Sequence, residues 1–425
     1  MKIIADLQIH SKYSRATSPQ MNIHTLGKFA ETKGLDILGT GDFTHPKHLE
    51  DLKSSLKEIN GTGLFTDNKT KTAFMLTSEV SLIYYVNGVS KKVHNMIFAP
   101  SFEIVDQINE KLSRYGNLSA DGRPILTNIT CPEFTELVVS ISKDAFIIPA
   151  HSFTPWFSIF GSKSGFNSVE ECFQDQTKNI FAIETGLSAD PAMCWNISSL
   201  DKFALISNSD AHSPWPWRLG REANVFDIEN PTYNKIFDAI KNKDKEKFLY
   251  TIECDPNYGK YHLDGHKDCN VSLEPSETKK LNGICPRCKR GLTIGVLSRV
   301  EQLADRPVGF VPKNAIPFKT LLPLYEIISH VTGVNALYSK KVTEEHDKII
   351  SQFGTELNVL MNVPENELKK ITHEKIANAI IKSRNGELKF KPGYDGVYGV
   401  PLFEGSFEMQ KSGQKGLGEF AKQKF

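Results

Sequence analysis

Ile3-Ile4-Ala5-Asp6-Leu7-Gln8-Ile9-His10 opens the chain with an apolar run that passes into side chains able to bind metal. Side chains alternate along a strand, so Gln8 and His10 fall on one side of it. The same pattern returns along the first half of the chain. Apolar runs at 35–38, 73–76, 145–148, 180–183 and 203–206 are followed by Asp42 and His45, by Glu79, by His151, by Glu184, and by Asp210 with His212. A further run at 96–98 has His94 just before it. Continuous apolar runs fit strands buried on both faces, and helix-like stretches such as 25–31 lie between them. Strand and helix in alternation predict an α/β fold whose strand ends converge on one face. A lone His or Asp after a strand is ordinarily a cap or a loop residue. A whole set of them, ending most of the runs, predicts a metal site.

The bulk numbers set the frame. The 425 residues are 40% hydrophobic and 24% charged, the balance of a globular protein of two or three domains. The net charge of +1 excludes a global basic field, so nucleic-acid binding requires a local patch. No apolar run suggests a signal peptide or a membrane span, and a cytoplasmic, nucleoid-associated, non-secreted protein is expected.

The boundaries predicted are a metal-binding β/α barrel over 1–235, a zinc-binding segment over 236–300 and a helical region over 301–425. His266 and Cys269, followed by Cys285 and Cys288, supply an H-x-x-C and a C-x-x-C pair, the donor set of a structural Zn site. His262 and Cys254 are rivals for the fourth ligand. Beyond the knuckle, Ile349, Phe353, Leu357 and Leu360 recur at helical spacing. Near the end, Gln414, Leu417 and Phe420 match the core of a peptide that docks on a sliding clamp.

These segments resemble the polymerase-and-histidinol-phosphatase (PHP) family of metal phosphoesterases. The resemblance rests on 6–10, Asp42 to Pro46, Glu79, His94, His151 and Asp210-Ala211-His212. It implies a distorted (β/α)7 barrel holding two or three divalent cations (Zn, Mn or Mg) on Gln8, His10, Asp42, His45, Glu79, His94, His151, Asp210 and His212. The family opens with His-x-His, and Gln8 stands where the first His belongs. The family's second motif runs Asp-His, whereas His45 comes three residues after Asp42, so Asp42, His45 or both are candidates. Asp210, His10, Glu79 and His151 are the candidate catalytic set, with Glu79 bridging, and His212 with Asp42 or His45 on a third ion.

The PHP order followed by a knuckle and a helical tail is similar, over nearly the whole length, to the endonuclease Q family. The segments that carry this are 6–18 (DLQIHSKYSRATS), 39–46 (GTGDFTHP), 184–195 (ETGLSADPAMCW), 259–269 (GKYHLDGHKDC) and 283–306 (GICPRCKRGLTIGVLSRVEQLADR). The similarity implies a repair endonuclease that nicks DNA on the 5′ side of hypoxanthine, uracil, xanthine or an abasic site by metal-activated water. Single- or double-stranded DNA would be the partner, with a sliding clamp as a second. Reading a damaged base requires taking it out of the stack and holding it between apolar walls. Phe43, Trp156 and Trp215 are candidates for those walls, with Trp217 beside them. Lys12, Arg15 and Arg218, and beyond them Arg221, are candidates for holding backbone phosphates. Two rivals remain: a phosphatase for a small phosphomonoester, which leaves the knuckle and helices without a role, and a non-catalytic DNA- or clamp-binding module, favoured by Gln8.

Overall fold

The computed structural model describes residues 2–403. The clamp-type motif Gln414, Leu417 and Phe420 lies outside them. The fold is mixed α/β. Each of the seven apolar runs becomes a strand: Lys2–Asp6, Ile37–Gly39, Ala73–Val86, Val89–Ala99, Phe146–Pro149, Ala182–Glu184 and Ala204–Ile206. The first three pair in parallel, as do the last two. A parallel bridge from Ile9 to Ala211 links the segment after the last strand back to the first.

The period-2 alternation of these strands sorts their side chains into two apolar cores. Ile3, Ala5, Ile37, Met75, Met96, Phe98, Ile148, Ala182, Ala204 and Ile206 gather in one. Leu38, Phe74, Leu76, Ile97, Ile147, Ile183 and Leu205 belong to the other, against the helices. Ile23–Lys33 shows how the helices are set. Asn22 caps its first turn, Gly34 ends it at φ 96°, and Ile23, Leu26 and Ala30 make its buried stripe.

The strand carrying Met96 departs from simple strand–helix alternation. It runs antiparallel to both Ala73–Val86 and Phe146–Pro149. The turn between 86 and 89 is Asn87-Gly88, both at positive φ, the chemistry of a tight hairpin. The sheet also passes the expected boundary at 235. Phe248–Glu253 pairs antiparallel with Ala223–Asp227, and Phe318–Thr320 adds in parallel beyond it. The knuckle is a small antiparallel pair, Asp264–His266 and Val271–Leu273. Five helices follow, from Leu324–Thr332 to Glu374–Arg384. The apolar spacing at 349–360 is split between two of them, because Gly354 ends Lys340–Phe353 and Thr355 caps Glu356–Met361. No helix among the described residues is long and apolar enough to cross a membrane.

A buried ion pair ties the helical region to the helix Ile23–Lys33. Lys33 Nζ donates to Glu356 Oε1 at 2.7 Å and to Pro216 O at 2.8 Å, with both side chains almost fully buried. Burial alone would raise Glu356, but Lys33 and His346 outweigh it and hold the carboxyl at about 2. Removing one partner leaves an uncompensated buried charge. Lys33→Ala is therefore expected to cost about 3–5 kcal/mol in denaturant unfolding, while Lys33→Met with Glu356→Leu is expected to recover most of it.

Candidate metal centre

The strand ends bring together residues more than 200 positions apart in sequence. His10 Nε2 lies 3.1 Å from Asp210 Oδ1 and 3.2 Å from Glu79 Oε2. His212 joins this group, its ring centroid 4.6 Å from that of His10. Glu79 reaches both ways: its other oxygen, Oε1, lies 2.6 Å from His94 Nδ1 and 3.4 Å from His151 Nε2. Two groups of potential metal-ligating atoms, His10–Asp210–His212 and Glu79–His94–His151, thus meet at one carboxylate.

Three of the residues that shape the centre are held in the left-handed region: Asp42 at φ 48°, His151 at φ 30° and Asp210 at φ 47°. Such backbone costs energy outside glycine and collects at functional sites. The crowding around it is visible at Gly186, where a Cβ would lie 2.7 Å from the Cβ of His151.

The residues present fit a cation. His10 Nε2, Asp210 Oδ1 and Gln8 Oε1 are buried without a hydrogen-bond partner, although the first two lie against each other. Buried polar atoms are rarely left so, and imidazole with carboxylate is a donor set for Zn or Mn. Burial pushes His94 down to about 3, which keeps its ring neutral. Burial opposes ionisation of Glu79, yet Arg123 and His94 hold it well below the usual carboxylate range. Gln8 donates Nε2 to Glu79 Oε2 at 2.8 Å and leaves its carbonyl oxygen open, so in place of the first His it steadies the shared carboxylate.

Asp42 and His45 stand apart from these groups. Asp42 Oδ1 lies 3.0 Å from His10 Nδ1, and its Oδ2 accepts from Ser11 N, Ser11 Oγ and Ser14 Oγ. Asp42 thus stands behind His10, in the position of the carboxylate that fixes the tautomer of a ligating imidazole. His45 caps Pro46–Ser55 and stacks on Tyr13 at 4.5 Å. The expected grouping of His212 with Asp42 or His45 does not form; His212 sits with His10 and Asp210. Asp42→Asn is expected to weaken metal binding about 10–100-fold while the protein stays folded, measured by titration with a metal buffer.

A cavity of about 660 Å³ opens beside the centre. His94, His151, Asp210 and His212 line its inner side, and Trp156, Phe157, Tyr261, Tyr398, Lys260, Arg218 and Arg221 contribute further walls. Trp156 meets Tyr261 edge-on at 5.7 Å. Of the expected substrate contacts, Trp156 and Arg218 line this cavity. Phe43 does not, because it is fully buried in the core. Trp215 packs between Phe29 and Trp217, away from the lining. Lys12 pairs with Asp51 and Arg15 with Asp121, outside the cavity. Arg123, Asn208, Tyr261 and Tyr398 escaped the sequence reading. Asn208, which donates to Glu184 at 2.9 Å, lies two residues before Asp210 and could have been found by that spacing. Tyr398 carries no local signal.

In the knuckle, the ligand atoms of His266, Cys269, Cys285 and Cys288 lie within 4.8 Å of one another. The rivals are elsewhere: Cys254 Sγ donates to Arg221 O, and His262 lies apart from this group.

A model of the MJ0043 C-terminal domain matches residues 323–387. The MJ0043 protein of Methanocaldococcus jannaschii is 37% identical over 257 residues, 59% of this chain and 31% of that one, so the chain spans about a third of that relative's length. YqxK of Bacillus subtilis is 29% identical over 94% of this chain and 98% of its own. Among solved structures, the lesion-specific endonuclease PfuEndoQ from Pyrococcus furiosus aligns with a TM-score of 0.84 at 34% identity, covering 95% of this chain and 96% of that one. Endonuclease Q in complex with a 27-mer duplex, an abasic lesion at its active site, aligns with a TM-score of 0.85 at 34% identity, covering 96% and 99%.

Proposed function

Because the chain belongs to the endonuclease Q family, whose solved structures include a lesion-specific endonuclease and a complex with an abasic duplex, we propose that it is a metal-dependent DNA repair endonuclease that nicks DNA on the 5′ side of deaminated bases (hypoxanthine, uracil, xanthine) and abasic sites. The observation that carries this reading is the meeting of His10, Glu79, His94, His151, Asp210 and His212 beside a cavity with aromatic walls. Divalent cations held there (Zn, Mn or Mg) supply charge neutralisation on the phosphate and an activated water.

The chain's own residues do the rest. Asp42 and Ser11 orient His10, and Gln8 steadies Glu79. Glu184 accepts from the backbone of His151 at 2.6 Å and so sets the strained turn that aims this ring. Trp156, Phe157, Tyr261 and Tyr398 offer faces on which an extruded nucleotide can rest, and Lys260 and Arg218 offer it positive charge. We read the seven strands as a distorted barrel and the four-ligand knuckle as a structural Zn site. Gln414, Leu417 and Phe420 are proposed to dock on a sliding clamp.

End-labelled duplexes, each with one deoxyinosine, deoxyuridine, deoxyxanthosine or abasic site, test the reading directly. A cut mapped immediately 5′ of the lesion, absent from the undamaged duplex, is expected. Hydrolysis of a chromogenic phosphomonoester with no cut in any duplex would instead favour the phosphatase rival.

A further inference from the structure

Arg123 stands at the metal centre without a place in the scheme above. It follows Asp121-Gly122 in the turn that leads into the strand Ile125–Thr127. That turn is fastened to the ligand-bearing segments from several sides. Gly122 N donates to Tyr13 O at 3.1 Å, and Thr44 Oγ1 donates to Gly122 O at 3.2 Å. Asp121 pairs with Arg15 and accepts from the backbone N of Arg123 at 3.1 Å. A Cβ on Gly122 would lie 2.2 Å from Asp42 Oδ2 and from Ser14 Oγ, so only glycine lets the turn come this close. The outcome is a guanidinium whose Nη1 lies 3.4 Å from Glu79 Oε1.

That contact does not account for the arginine. Glu79 Oε1 already has His94 at 2.6 Å, and Oε2 has Gln8 at 2.8 Å. A guanidinium carries five donors in one plane. Among the described residues, this single long contact is the only hydrogen bond that the Arg123 side chain makes. The neighbouring arginines are committed: Arg218 to Trp217 O and Glu326, Arg221 through two nitrogens to Ser209 O. The Arg123 side chain is 28% exposed, so its donors are open to an incoming anion beside the shared carboxylate.

We propose that Arg123 is a further catalytic residue, whose open edge binds the non-bridging oxygens of the phosphate being cut and stabilises the charge that builds on them. The proposal rests on the phosphodiesterase reading above. A water oxygen bonds to phosphorus as the bond to the leaving sugar oxygen breaks, and the proton that the water gives up ends on that sugar oxygen as its new hydroxyl. Arg123 stays protonated throughout and gives up no proton. A planar guanidinium suits two phosphate oxygens at once, which an ammonium does not.

Single-turnover cutting of a deoxyinosine duplex, at saturating protein, tests this. Arg123→Ala is expected to lose about 100-fold in rate, the scale for one group aimed at developing charge. Bound metal is expected to match the parent, and added guanidinium ion is expected to restore part of the lost rate. Arg123→Lys keeps a positive charge beside Glu79, guards against a folding defect, and is expected to lose about tenfold because it cannot engage two oxygens. Arg123→Ala that cuts at the parent's rate overturns the proposal. So does an Arg123→Ala loss that follows a loss of bound metal, because the arginine would then act only through Glu79. A parent protein that cuts no lesion duplex removes the nuclease reading instead.

Discussion

Asp210→Asn will leave the protein folded and bring nicking of a deoxyinosine duplex close to nothing. Asparagine tolerates the left-handed backbone that this position adopts, so the fold has little reason to change. What the substitution removes is charge. Burial opposes ionisation at Asp210, but His212 and His10 outweigh it and keep the carboxylate ionised, far below its usual range. Its Oδ1 is buried, has no hydrogen-bond partner and lies 3.1 Å from His10 Nε2. The adjoining His212 ring nitrogen Nδ1 donates to Asp210 O at 2.9 Å, which turns its Nε2 outward as a free donor atom. Losing this anion would remove a proposed metal ligand and a negative charge that lines the cavity. The expected loss is at least the roughly 10³-fold associated with one preorganised electrostatic group. Single-turnover cutting, read beside metal content and melting temperature, checks it. An Asp210→Asn protein that cuts at the parent's rate would mean that these ligands are not the catalyst.

The second large effect is structural. Cys285→Ser is expected to release the zinc proposed for the knuckle and unfold 264–291 while the rest of the chain stays folded. Two strands of three residues, over an apolar cluster of Val271, Cys285 and Leu292, cannot bury enough surface to stand alone. Metal binding in such sites, on the order of 10 kcal/mol, is folding free energy. The loss should travel to the cavity. Ser162 Oγ donates to Ile294 O at 2.9 Å, and Lys163 reaches Leu292 O. Arg299 donates to Phe160 O at 2.7 Å and to Phe166 O at 2.8 Å. The loop these contacts hold carries Trp156 and Phe157. Limited proteolysis should find new cuts within 264–291, and lesion affinity should fall. A Cys285→Ser protein that keeps its zinc and resists the protease would contradict the four-ligand knuckle.

The strands were legible because each apolar run must bury both faces, and an unbroken apolar run shows that need without any knowledge of neighbours. The gathering of these side chains was legible for a related reason: alternation places Gln8 with His10, and chain order places Asp210 near His212. Direction was harder to read. Alternation alone makes the 96–98 run one more strand of the same kind, whereas Asn87-Gly88 marks the hairpin that reverses it. Which carboxylate touches metal and which stands behind a histidine depends on three-dimensional depth. The spacing of Asp42 and His45 could not separate Asp42's place behind His10 from a ligand's place. Phe43 sits beside Asp42 in sequence yet is fully buried in the core, since neighbours in a turn need not share a face. Tyr398 and Arg123 reach the site from loops that carry no periodicity, and only the fold brings them there.

Anomalous diffraction from crystals of the full chain grown with Mn²⁺ tests the central claim most directly. The account predicts peaks within bonding distance of His10 Nε2 and Asp210, and of Glu79, His94 and His151, with Asp42 outside that distance. Crystals whose manganese peaks lie elsewhere, or are absent from both groups, would contradict it.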